Sequence, residues 1–190
     1  MDDGRAIPPH LTQPLEWDYP AFLVFWNQCA RDWHDMLYCN RRRSFNRLPQ
    51  PAGRRDDDRY LIDFGKCFRV RAFPQVLRLY HQDATNQLVA LTRRLDPWRD
   101  QETIIARADE VRDLLKEHGE ALARLAPNLH AEHLESASTT ATMAGRRGEA
   151  IVYSWNLARR SPLRLRSWIL LAAAFIGPPA VLLRRWATKA

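Results

Sequence analysis

The chain is predicted to be mainly α-helical: a helical hairpin or bundle with an extended N-terminal arm and a C-terminal kinked apolar helix. Three observations predict it. Apolar residues recur every three or four positions through much of residues 19–135, the period of an amphipathic helix. Pro74, Pro97 and Pro127 fall between those runs, where helices stop and start. One long apolar run, SWILLAAAFIGPPAVLLRRW at 167–186, stands near the C-terminal end of a sequence whose mean hydropathy is −0.46. At 190 residues, 46% of them hydrophobic, the chain is long enough for one domain with a core, plus a tail.

Residues 1–18 hold Pro8, Pro9 and Pro14 and show no helical period, so they read as an extended arm. The helical body spans 19–135. Asp18 is the N-cap candidate of its first helix and Pro20 an early-turn proline. Phe22, Phe25, Trp26, Cys29, Trp33, Met36 and Leu37 then keep helical spacing. Arg41, Arg42 and Arg43 suit that helix's C-terminal dipole and offer either a solvated end or a phosphate contact. Ser44 to Arg59 reads as loop. Tyr60 to Phe73 is ambiguous: Phe68, Val70 and Ala72 alternate with Arg69 and Arg71 as in a strand, but one short hairpin is marginal, so irregular or helical structure ranks higher. From Pro74, Leu77, Tyr80, Ala84, Leu88, Leu91 and Leu95 make a helical stripe that ends at Asp96–Pro97. Ile104, Ala108, Val111, Leu115, His118, Leu122 and Leu125 follow a 4-3-4-3-4-3 spacing, the seam of an antiparallel helix pair. The two helices are expected to form a hairpin.

Residues 136–160 are read as a connector and an amphipathic helix. SASTTATMAG, Ser136 to Gly145, suits a flexible connector or a close helix contact. The helix runs from Glu149 to Arg160 with Ile151, Val152, Trp155 and Leu157. Residues 161–190 form a basic-flanked segment, with Ser161 and Pro162 capping its helix. Trp168 to Leu183 is sixteen uncharged residues, reaching about 24 Å as a helix and slightly short of the roughly 17–25 residues of a spanning one. Arg166 and Arg184 bound it and can snorkel, while Trp168 and Trp186 stand where membrane-interface aromatics belong. Gly177-Pro178-Pro179 excludes a straight helix. The segment is therefore expected to span with a kink; the alternatives are an interfacial or re-entrant helix, and a terminal helix packed in a core or on a partner.

Charge is concentrated in the same region. The net charge is +7, with 29 Lys and Arg against 22 Asp and Glu. From Gly145 onward nine basic residues face one acid, Glu149, so the tail carries +8 and the rest −1. A nucleic-acid domain would put its positive face on the folded body. The distribution instead favours anionic lipid or an acidic partner, with Arg159, Arg160, Arg164, Arg166, Arg184 and Arg185 as lipid-headgroup candidates. The opening MDDGRAIPPH has no apolar core and is not expected to act as a signal peptide.

The basic-flanked segment, residues 159–190, resembles the tail anchors and single-span subunits of mitochondrial membranes. CARDWHDMLYC, Cys29 to Cys39, resembles the C-x(9)-C helices of small accessory subunits of respiratory complexes and their assembly factors, although a second C-x(9)-C is missing. In that family each cysteine bonds to the facing helix. Ten helical residues separate Cys29 from Cys39 by about 15 Å, beyond the roughly 4.4–6.8 Å of a disulfide, so the resemblance implies a pair of Cys67 with Cys29 or Cys39. Three buried thiols in a reducing compartment is the reading that ranks above such a pair. The resemblance implies the mitochondrial inner membrane; a bacterial inner membrane or another organelle membrane is the alternative.

Catalytic signatures are lacking. Asp63-Phe64-Gly65 matches a kinase triplet without the Gly-rich loop or HRD motif. His34 and Asp35 are adjacent and point apart on a helix. His130 and His133, with Glu132 and His118, suggest a metal only weakly, because no third ligand follows at metal-binding spacing. His118 reads as a hydrogen-bonded core histidine. No catalytic residue, metal or cofactor is expected. The expectation is a non-catalytic accessory subunit of a membrane complex, of the respiratory-chain or ATP synthase kind, whose partners are other subunits and an anionic lipid such as cardiolipin. The alternative is a soluble helical nucleic-acid-binding or regulatory protein with a basic tail.

Overall fold

The computed structural model describes residues 15–29, 47, 57–72 and 98–178. Those residues are mainly helical. In order they are β1 (Leu15–Trp17), α1 (Tyr19–Cys29), α2 (Asp57–Cys67), β2 (Val70–Ala72), α3 (Gln101–Leu125), α4 (Pro127–Met143), α5 (Arg147–Arg160) and α6 (Leu165–Ile176). The chain divides into two compact units: Met1–Ala84 with Ala121–Leu129, and Thr85–Glu120 with His130–Ala190.

In the first unit, Asp18 caps α1 as expected: its Oδ1 accepts the backbone N–H of Ala21 at 3.0 Å. Phe22, Leu23 and Trp26 are fully buried, and Trp17 stacks on Phe25 with ring centroids 4.3 Å apart. Against Phe22 stands Gly65 of α2, where an added Cβ would lie 2.7 Å from the ring. The helix α2 begins at Asp57, inside the stretch to Arg59 that was expected to be loop. The strand reading that ranked second for Tyr60–Phe73 is the correct one at Val70–Ala72. These residues pair antiparallel with Leu15–Trp17, with Glu16 opposite Arg71 and an Arg69–Glu16 ion pair at 3.1 Å. The last residues of the arm supply the partner that a local pattern lacks. Asn27 reaches the start of α4, its Oδ1 accepting the N–H groups of Asn128 at 2.8 Å and Leu129 at 3.4 Å. Those two donors are among the four that a helix N-terminus leaves unpaired. Cys67 is exposed and its thiol is free; Cys39 lies outside the described residues, as do the expected Pro74–Leu95 helix and the Arg41–Arg43 triplet.

The second unit is an up-and-down array of four helices, α3 to α6. The seam of α3 is buried at Ile104, Ala108, Val111 and His118. Ile104 packs on Met143, and Leu115 joins the cluster of Leu134, Leu157 and Leu170, so α3 runs antiparallel to α4. The expected hairpin of that seam with the Pro74–Leu95 helix lies outside the described residues. SASTTATMAG is the close helix contact and not a flexible connector: α4 continues through it to Met143. Ala141 of α4, Ala150 of α5 and Ala174 of α6 form one cluster. Ser138 and Ser154 meet between α4 and α5 at 2.6 Å. Since the Ser154 hydroxyl donates to the Ala150 carbonyl at 2.7 Å, Ser138 is the donor to Ser154. Gly145 closes α4 with φ of 76°, while Arg146 N–H donates to Ala141 O and Gly145 N–H to Thr142 O, a Schellman stop.

One expectation for the C-terminal helix needs correction. Ser161 and Pro162 do not cap it: Ser161 is the C-cap of α5, and Arg164 is the N-cap of α6. The kinked span expected from Trp168 to Leu183 is described only as far as Pro178: α6 ends at Ile176, with Gly177 as its C-cap at φ of 95°. Pro178 has no N–H to continue the ladder, and the Arg147 guanidinium occupies the space beside Gly177, 3.2 Å from where a Cβ would stand. Twelve residues reach only about 18 Å. Among the described residues no helix is long and apolar enough to cross a membrane. Residues 179–190, with Arg184, Arg185 and Trp186, lie outside the description.

Two substitutions check this packing. Gly65→Ala gains about 1 kcal/mol of helix propensity but loses about 1–3 kcal/mol by overpacking against the buried Phe22 ring, so the net effect is destabilising. Leu157→Ala in the second unit should cost about 2–5 kcal/mol. Urea unfolding followed by circular dichroism reads both; unchanged midpoints would show that neither contact is tight.

Candidate anion-binding corner

The last turn of α5, the four-residue link and the first turn of α6 bring Arg159, Arg160, Arg164 and Arg166 into a stretch of eight positions. Arg159 and Arg160 complement the carbonyl end of α5. Arg164 and Arg166 break the same rule at the amide end of α6. That first turn contains no acid, and the N-cap side chain makes no capping hydrogen bond. Ser167 in the same turn is fully buried, and its hydroxyl has no hydrogen-bond partner.

A carboxylate from another helix offsets the two arginines. Glu135 of α4 accepts an ion pair from Arg166, and Arg164 Nη2 stands 4.0 Å from its Oε2. Its side chain is largely buried, while both guanidinium groups remain about half exposed. One turn deeper on α4, Arg160 Nη1 lies 3.0 Å from His130 Nδ1. A guanidinium can only donate, so Nδ1 is the acceptor and the proton sits on Nε2. Burial first, then the Arg160 cation and His133, lower the His130 pKa to about 4. The ring lies over Gly119 of α3, with Nε2 4.0 Å from where a Cβ there would stand, an ordinary packing distance. Among the described residues no group of three ligating side chains includes His130 or His133, and a cation already holds one His130 nitrogen.

Two leucines at this corner face outward, Leu163 in the link and Leu165 at the start of α6. Leu163 is 99% exposed and Leu165 72%. Trp168, the expected interface residue, is partly exposed, and its indole N–H donates to the Pro162 carbonyl at 2.9 Å, which ties α6 back to the link. Along α6 the buried positions are Ser167, Leu170, Ala173 and Ala174. The opposite positions, Leu165, Trp168, Ile169, Ala172, Phe175 and Ile176, are exposed at helical spacing with no charge among them. A surface helix of a globular protein usually turns polar residues outward, and a contiguous outward apolar stripe marks an interaction face.

Four of the six arginines named from the sequence therefore share one corner, and the other two lie outside the described residues. Glu135 and His130 were missed as parts of it. Ordinary spacing carries no signal that a residue about 30 positions upstream will stand beside an arginine. At the other end of the array Asp109 binds Arg146 at 2.7 Å and Arg112 at 2.8 Å. The Arg146 hydrogen bond, with the charges of both arginines, holds the Asp109 carboxyl below its ordinary range despite some desolvation.

No family model matches the chain, and neither a curated protein nor a solved structure matches it.

The His130 geometry dictates a pH dependence. The folded pKa lies below the ordinary 6.5, so on acidification the unfolded chain takes up this proton first. Stability should fall from about pH 6.5 to about pH 4 and then level, by up to roughly 3 kcal/mol from this group. The Asp109 contribution is lost at lower pH, through the carboxylate range. Urea midpoints between pH 7.5 and 4.5 should drop less in His130→Gln than in the wild type; parallel curves would show that His130 is not the responsible group.

Proposed function

We propose that this chain is a non-catalytic helical accessory protein that docks on an anionic membrane surface through the α5–α6 corner, with α6 lying along the interface. The observation that carries this reading is the combination of an outward apolar stripe on α6 with four arginines beside its exposed leucines. Basic side chains near an anionic leaflet contribute about 1 kcal/mol each, and fully burying a leucine contributes about 1.5–3 kcal/mol. Leu163 and Leu165, which have no packing role to lose, supply the apolar part. A helix of this length with one apolar face outward suits an in-plane position. The setting we favour is a membrane protein complex in an anionic bilayer, such as the cardiolipin-containing mitochondrial inner membrane, with the helical body facing partner subunits.

Charge also weighs against other occupants of the stripe. A second copy of the chain would bring arginine corners and a +8 tail together. A nucleic acid would satisfy the arginines but leave Leu163, Leu165, Phe175 and Ile176 in water, so the soluble phosphate-binding alternative accounts for half of the surface.

Flotation with phosphatidylglycerol–phosphatidylcholine vesicles and with phosphatidylcholine vesicles tests the reading. The wild type should float with the anionic vesicles alone. Leu163→Ser with Leu165→Ser should reduce that fraction on the order of tenfold, with the melting temperature unchanged because both side chains are exposed. Equal flotation of wild type and double variant, or none by the wild type, would remove the membrane reading.

A further inference from the structure

The ion pairs of the corner carry a more specific reading, which rests on the membrane docking proposed above. Arg164 and Arg166 converge on one carboxylate that belongs to neither their helix nor their loop. Two guanidinium groups sharing a carboxylate are arranged as they would be around the oxygens of a phosphodiester, since both anions present paired acceptors to the same planar donors. We propose that Arg164 and Arg166 form a binding site for the phosphate of an anionic lipid headgroup, and that Glu135 occupies this site in the lipid-free protein and is displaced on docking.

Three observations support this assignment. Glu135 is mostly buried, whereas the arginines are about half exposed, so an incoming phosphate reaches the guanidinium groups from solvent without unpacking α4. The first turn of α6 has neither an acid nor a capping side chain, so its amide end adds to the attraction for an anion. The exposed Leu163 and Leu165 flank Arg164 directly in the sequence, placing the site at the level where headgroup phosphates lie if those side chains enter the acyl boundary. The arginine side of each pair is about half exposed and screened by solvent, whereas a displaced Glu135 leaves a mostly buried carboxylate without its cations. Glu135 therefore competes with the headgroup and tunes affinity.

The consequence is a gain of binding on removal of a side chain. Glu135→Gln should raise the partition of the protein onto phosphatidylglycerol vesicles on the order of tenfold, because both guanidinium groups are freed for phosphate. Glu132→Gln controls for the change of charge: it lies on the same helix and is exposed, and its effect should stay under about threefold because salt screens it. Arg164→Gln with Arg166→Gln should lower wild-type binding and abolish the gain in the triple variant. In wild type, inorganic phosphate should displace the protein from vesicles more strongly than chloride at equal ionic strength. Helical content and melting temperature are followed for each variant; should Glu135→Gln lose the fold, the arginine pair and the phosphate competition still decide. The proposal is overturned if Glu135→Gln binds no better than Glu132→Gln, if its gain persists without the arginines, or if phosphate and chloride displace alike. In each of these cases a wild type that still prefers anionic vesicles leaves the docking reading standing; a wild type indifferent to lipid charge removes both.

Discussion

Close approach of α4, α5 and α6 through small side chains is the constraint on which the second unit depends. Ala141, Ala150 and Ala174 meet where three helices converge, and at Ser138 and Ser154 the contact is a hydrogen bond between two short hydroxyl groups. Thr142 and Ser154 donate to carbonyls four residues back on their own helices, at 2.7 Å each. The polar atoms are thereby satisfied with little reach across the gap, and a buried hydroxyl without a partner would cost about 1–3 kcal/mol. Ile151 and Tyr153 pack against the alanines from the side, and the leucines gather in a separate cluster at Leu134, Leu157 and Leu170. The tight tier also requires abrupt turns at its end. Gly145 and Gly177 supply the two positive φ angles there, and Arg147 donates at 3.5 Å to the Ile176 carbonyl left by the end of α6.

That same constraint determines the character of α6. A helix packed through Ser167, Leu170, Ala173 and Ala174 buries a narrow stripe, so its large apolar residues are directed outward. Its electrostatics are equally unfavourable taken alone. Each cation at an amide end costs about 0.3–1 kcal/mol, and the exposed pairs with Glu135 return a similar amount at best. Arginines placed where they do not stabilise the fold, beside leucines placed where they do not either, are the two features that the proposed membrane docking would use. Local rules that fail together at one corner are the expected mark of a functional surface.

Legibility followed the range of the interactions. The Asp18 cap, the α3 seam and the helical period of α5 are readable because capping and amphipathic spacing act within one or two turns. The small-residue stretch from Ser136 to Gly145 was readable as a choice and no further. Composition of that kind suits a loop in isolation and a close contact once two neighbours with alanine at the facing positions are present. The β1–β2 pair was undervalued because Val70–Ala72 finds its partner more than fifty residues upstream, and alternation alone does not name a partner.

The sequence by itself determined the helical class, the α1 cap, the buried stripe of α3 and the crowding of positive charge around one apolar segment. Each depends on residue identity at fixed short spacing. Only the tertiary structure decided that α6 ends at Ile176, which of its faces is buried, and that Glu135 and His130 stand beside the arginines. The reason is geometric. An apolar run of near-spanning length has the same composition whether it crosses a bilayer or lies against α5, and its two faces are equivalent until small residues on neighbouring helices choose the one that fits.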